Sequence, residues 1–144
     1  MGAVDHSLAT LRFFGDDLVP DEITTLLGAS PTVSYLKDQE LVGSKTGVLR
    51  IAKTGSWRLS ASRREPEDVE SQVFEILDQL SKDLIVWTKL ASRYKPDLFC
   101  GIFMGGSNDA LALSAKALLA LGQRGVSLGL DVYAADGEES SVGP

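Results

Sequence analysis

The chain offers few parts from which chemistry could be built. It has one histidine, His6, and one cysteine, Cys100. A Ser–His or Cys–His nucleophile needs the imidazole beside it, and no motif sets a serine or cysteine next to His6. His6 therefore reads as part of a solvated N-terminal stretch, and Cys100 as a packing residue in an apolar strand. One histidine and one cysteine far apart cannot supply the four nitrogen or sulfur ligands of a zinc site, so no metal or other cofactor is expected. Asp16, Asp17, Asp21 and Glu22 could hold a hard cation, but their spacing is not that of an EF-hand, and turn and helix-start chemistry explains them. The run GIFMGGSND precedes a helical pattern, as a phosphate cradle does. It lacks the GxxxxGK[ST] lysine and the GxGxxG spacing, and Asp109 would repel a phosphate. Asp131 and Tyr133 alternate onto one strand face, where a carboxylate beside a phenol could move a proton. An enzyme using Asp16, Asp17 and Asp131 is the least favoured reading, and no catalytic residue is assigned.

Two other sets of residues point to binding. Val48 to Ala61 is expected to form a hairpin around Thr54 and Gly55, with Ile51 opposite Leu59 and Leu49 opposite Ala61, so that apolar faces match. In that register Arg50 and Arg58 share the outward face, Lys53 sits at the turn, and Arg63 and Arg64 lie just beyond. A basic patch on a chain of net charge -6 suits an acidic protein partner or a small anionic ligand. The same net charge disfavours nucleic acid and anionic membranes, which need clustered cations. The second set is aromatic: Phe14, Trp57, Phe103 and Tyr133 could line a pocket for a small ligand.

The elements that must position these residues follow from periodicity. Two stretches share one plan, Leu8 to Pro31 and Leu98 to Tyr133, each an apolar strand, a glycine and acid-rich turn, and a leucine-bearing helix closed by Leu-Gly. Ala9, Leu11 and Phe13 alternate with Thr10 and Arg12, as in a half-buried strand. Pro20, Asp21, Glu22 and Gly28 bracket a helix over 20–27 that buries Ile23, Leu26 and Leu27. A short strand is expected over 31–36 and a loop over 37–47. Pro66 and its flanking acids start a helix carrying Val69, Val73, Ile76, Leu77 and Leu80 at helical spacing. A second piece spans 83–93 and stops before Pro96. Leu98 to Met104 is apolar on both faces, which suits the sheet interior. Ser107 or Asn108 caps a helix running to Leu121, and the last strand sets Val126, Leu128, Leu130 and Val132 on a covered face.

At 144 residues the chain suits one α+β domain, 1–134, followed by an acidic tail, 135–144, expected to be mobile. No run reaches the roughly 20 apolar residues of a membrane span, and the start lacks the pattern of a secretory signal; a cytoplasmic location is expected. The run GDDLVPDEITTLLGASPT, the tryptophan of GSWRLSAS, the helical VFEILDQL and the ending ALALSAKALLALGQRGVSLGLDVYA resemble the bacterial family called domain of unknown function 4279. The resemblance runs from about Leu8 to Ala134 and fades between Lys37 and Gly47. It implies an α+β domain and no accepted activity.

The expected architecture is a mixed or antiparallel sheet of about five to six strands with helices mainly on one face, resembling a ferredoxin-like βαββαβ core extended by a final helix and strand. The expected function is a non-enzymatic interaction module binding a macromolecular partner, of immunity or adaptor type. A small-ligand sensor is the alternative, and a homodimer is compatible with either.

Overall fold

The computed structural model describes residues 4–135. Its order is β1 (His6–Gly15), α1 (Pro20–Leu27), β2 (Val33–Tyr35), β3 (Glu40–Val42), β4 (Leu49–Ile51), β5 (Gly55–Ser60), α2 (Val69–Leu77), α3 (Leu84–Tyr94), β6 (Asp97–Phe103), α4 (Ala115–Gln123) and β7 (Ser127–Tyr133). Five strands form one mixed sheet in the order β2-β5-β1-β6-β7, and β3 pairs with β4 alone. All pairings are antiparallel except β6 with β7. The α+β class, the mixed sheet and the placing of helices on one face are as the periodicity implied.

The route through the sheet is that of a ferredoxin-like βαββαβ core, built from β1, α1, β2, β5, the α2–α3 pair and β6 and extended by α4 and β7, as expected. A split βαβ unit sets a third strand between two parallel ones. Here β5 lies between the parallel strands β1 and β2, and β1 lies between the parallel strands β5 and β6, while β7, parallel to β6 and joined to it through α4, is added at the edge.

Register decides which residues share a face. Leu11 lies opposite Leu59 and Leu98, Ala9 opposite Cys100, and Phe13 opposite Trp57. These side chains are buried in one cluster with Ile23 and Leu27 of α1, Val69, Val73, Ile76 and Leu77 of α2, Trp87, Leu90 and Tyr94 of α3, and Leu121 of α4. All four helices therefore cover the same face. Leu26, expected inside, is exposed.

The hairpin of the middle segment is centred elsewhere than expected. Leu49 pairs with Val42 and Ile51 with Glu40, not with Ala61 and Leu59, while Arg58 pairs with Val33 and Ser56 with Tyr35. The two short ladders share one register, so residues 33–58 form a single interrupted hairpin whose tip is closed by Gly43 N–H donating to Val48 O. Thr54 and Gly55 mark the interruption, not the turn. Leu59 and Trp57 are drawn instead into the core beside β1, which buries more apolar surface than a local pairing with Leu49 and Ile51 would.

Helix starts shift for identifiable reasons. Asp68, not Pro66, caps α2 by accepting from Ser71 N–H. α4 begins at Ala115, not near Asn108, because the Asp109 carboxylate accepts from the N–H groups of Gly105 and Gly106 and closes a loop there. Ser114 then caps α4, its Oγ accepting from Ala117 N–H. Leu111 and Leu113 still pack on the core from this irregular segment. Cys100 is buried among these residues, and burial, with a smaller effect of Asp97, pushes its thiol up to about 12. The acidic segment after Ala135 lies outside the described residues.

Candidate binding face

The side of the sheet away from the helices carries the chemistry. On β1 it presents His6, Leu8, Thr10, Arg12 and Phe14, and register adds Arg58 and Ser56 from β5, Tyr35 and Val33 from β2, Asp97, Phe99 and Phe103 from β6, and Asp131 and Tyr133 from β7. Alternation of strand side chains sorts these residues from their buried neighbours.

They form a connected row. The Arg12 guanidinium lies 4.3 Å from the Phe99 ring centre and 5.2 Å from that of Phe14, and Arg58 lies 5.5 Å from Phe14 on its other flank. Arg12 is forked onto Asp97 through both carboxylate oxygens. Arg58 has no carboxylate partner among the described residues; it donates to Ser56 Oγ at 3.1 Å and to Tyr35 Oη at 3.3 Å. At the far end His6 stacks on Phe103 at 4.1 Å, and Phe103 stacks on Tyr133 at 4.5 Å.

Polar groups at that end are paired. The His6 Nδ1 lies 2.7 Å from Asp5 Oδ2. Tyr133 donates its phenolic hydrogen to Asp131 Oδ2 at 2.6 Å, and this bond, with some burial, raises the phenol above its usual value of 10.0. The pair is thus a held phenol, and Tyr133 is not a base at neutral pH. A cleft of about 330 Å³ opens beside these residues, lined by Asp5, His6, Phe103, Met104, Gly105, Ala134 and Ala135.

The residues singled out from sequence fall as follows. Phe14, Phe103 and Tyr133 do share the open face, but Trp57 lies on the opposite face, fully buried, its Nε1 donating to Thr24 Oγ1. The four do not enclose one pocket. The basic residues are likewise separated. Arg50 is exposed toward the tip of the hairpin arm, eight residues from Arg58, roughly 26 Å along an extended chain. Lys53 is exposed at the interruption between them. Arg63 pairs with Glu65 at 2.7 Å, and Arg64 is clamped by Glu75, Ser71 and the Ser62 carbonyl. Only Arg58 of the five faces outward from the main sheet.

The acids proposed for catalysis are also apart. Asp16 pairs with Lys37 and Asp17 with Arg93 beyond one end of β1, whereas Asp131 lies level with Leu8 near the other. In the glycine loop the two N–H groups that could have met a phosphate are taken by Asp109. Sequence reasoning missed Arg12, Phe99, His6 and Tyr35 as members of one surface. Their signal was the even spacing along β1 and the odd spacing along β6, legible only once the strands were set side by side.

A family model described as Domain of unknown function (DUF4279) matches residues 5–135. The chain belongs to that family. The match spans every strand and helix, including the Asp-Glu-Ile-Thr start of α1 and the Leu-Asp-Val-Tyr end of β7. No curated protein and no solved structure matches the chain. The family description assigns no activity, so function has to be argued from the face itself.

Proposed function

We propose that the chain is a non-enzymatic interaction module whose open sheet face docks a protein partner in the bacterial cytoplasm, in the manner of an adaptor or immunity protein. The observation that carries this reading is the row Arg58, Phe14, Arg12 and Phe99, in which two guanidiniums are interleaved with two half-buried rings. Arginine and aromatic side chains are enriched at the energetic centres of protein interfaces, since they give large contact areas at low conformational cost. A stacking platform for nucleic acid would need excess positive charge along it. Here Arg12 is neutralised by Asp97, and Asp5 and Asp131 flank the other end. Arg58, without a carboxylate of its own among the described residues, is suited to receive one from the partner.

The test uses tagged protein and its Arg58→Glu/Phe99→Ala double variant, matched for thermal stability, to capture partners from a native lysate. A protein retained by the parent and lost by the variant, then rebound in purified form, supports the face. Equal retention by both overturns it. The small-ligand reading is favoured by one observation, the cleft beside His6 and Phe103, whose volume of about 330 Å³ is at the lower end for small-molecule sites. A thermal-shift screen of nucleotides, amino acids and sugars tests it, with a flat response counting against a sensor role.

A further inference from the structure

We infer that β7 is a pairing edge through which two copies of this chain associate, antiparallel about a twofold axis at Leu130. The two edges of the sheet differ in how they are guarded. β2 has three residues and is bracketed by Pro31 and Lys37, as expected of an edge protected against pairing. β7 has seven residues, with no proline, lysine or arginine among them.

Its free main-chain groups are arranged for a symmetric partner. Ser127 N–H donates to Pro96 O and Tyr133 O accepts from Met104 N–H, so the odd-numbered positions bond toward β6. By alternation Leu128, Leu130 and Val132 direct their N–H and C=O groups away from the sheet. An antiparallel register centred on Leu130 sets Leu130 against its own counterpart and Leu128 against Val132. All three outward-directed residues then fall in bonded pairs, which exchange roughly six main-chain hydrogen bonds.

Side chains fit the same register. Leu130 is 49% and Val132 57% exposed although both lie on the helix-covered face, and pairing places them against Leu130 and Leu128 of the second copy. Asp131, the only charge in the strand, meets Gly129 and not another carboxylate. The flanking helix extends the surface. Lys116 lies over Phe74 of α2, so Leu118, two positions on, points to the opposite flank, above the outer edge of β7. It is 50% exposed. Pairing would join two five-stranded sheets edge to edge and set two open faces side by side.

Sedimentation velocity over a hundredfold concentration range tests this with the full chain. The parent is expected to sediment as a dimer at micromolar concentration. Leu130→Pro removes an N–H that β6 does not use, and Leu118→Glu changes an exposed helix position; each should weaken association by more than about tenfold while the circular-dichroism melt of the monomer persists. Arg58→Glu, on the open face, should leave the dimer intact. A parent that stays monomeric throughout overturns the inference, as does a dimer that survives Leu130→Pro and Leu118→Glu but dissociates with Arg58→Glu.

Discussion

Arg12 on β1 grips Asp97 on β6 through both carboxylate oxygens, Nε to Oδ1 at 2.8 Å and Nη2 to Oδ2 at 2.7 Å, where the two residues stand directly opposite in register. The same guanidinium lies over Phe99. One side chain thus ties two strands and holds a ring of the candidate binding face. A lysine can supply the charge but neither the fork nor the stacked plane. Arg12→Lys is expected to lower the unfolding free energy by about 1–2 kcal/mol, read from urea denaturation. A double-mutant cycle with Asp97→Asn should give a coupling of about 1 kcal/mol; a coupling indistinguishable from zero would show the fork to be energetically idle.

Gly55 and Gly15 face each other across β5 and β1, and their closeness demands that Gly55 lack a side chain. A Cβ on Gly55 would lie 2.7 Å from the Gly15 carbonyl oxygen and 3.0 Å from that of Leu18, both main-chain atoms that cannot swing aside. Gly28 closes α1 at a φ of +85° but has nothing within 4 Å of an added Cβ. Gly55→Ala is therefore expected to cost about 2 kcal/mol or more through steric displacement, and Gly28→Ala about 1 kcal/mol through backbone strain. Denaturation midpoints of the two variants decide the order, and the reverse ranking would contradict the strand spacing.

Acid stability should be governed by carboxylates with opposite signs. Burial pushes Glu75 up, but the Ser62 N–H and the Arg64 guanidinium outweigh it and hold it below its ordinary value of 4.5. The Ser114 N–H and, next, its side chain hold Glu70 below the same value, linking α2 to the start of α4. For both, the unfolded chain binds the proton more readily, so their contribution is complete above 4.5 and is lost as pH falls through the lower folded values. Glu67 runs the other way: burial raises it and its Oε2 has no partner among the described residues, so folding favours its protonated form. A Tm that drops below pH 4.5, with a shallower slope in Glu75→Gln and a higher neutral-pH Tm in Glu67→Gln, is the expected pattern. Identical pH slopes for the parent and Glu75→Gln would remove the ion pair from the explanation.

Local pattern was a good guide where an element's partner was its own neighbourhood. Pro20, the early acids and Gly28 bracket α1 at its observed ends, and Val69, Val73, Ile76 and Leu77 are the buried stripe of α2. It failed where the partner lay far along the chain. Val48 to Ala61 does alternate, but β5 takes β1 as its neighbour, 40 to 50 residues away, because Trp57 and Leu59 reach the core only there. The binding face was hidden for the same reason. Thr10 and Arg12 were visible as one strand face, yet nothing local joined Arg12 to Phe99 or Arg58 to Tyr35. Exposed Leu130 and Val132 show a subtler limit: alternation identifies a shared face but cannot tell how far a nine-residue helix such as α4 will cover it.

Trp57 separates the enclosed-pocket reading from the open-face one. It and Trp87 are both fully buried, with Nε1 donating to Thr24 Oγ1 at 3.0 Å and to the Ser81 carbonyl at 2.7 Å. Tryptophan emission should therefore be blue-shifted and almost insensitive to iodide until the chain unfolds. Trp57→Phe removes one donor and part of the ring, and is expected to cost about 1–3 kcal/mol without altering partner capture by the open face. A ligand in the cleft beside His6 would sit across the sheet from Trp57, so its binding should leave Trp57 emission unchanged in a Trp87→Phe background. A ligand that quenches Trp57 strongly while the fold persists would instead demand a cavity reaching through the core, and would restore Trp57 to the binding site.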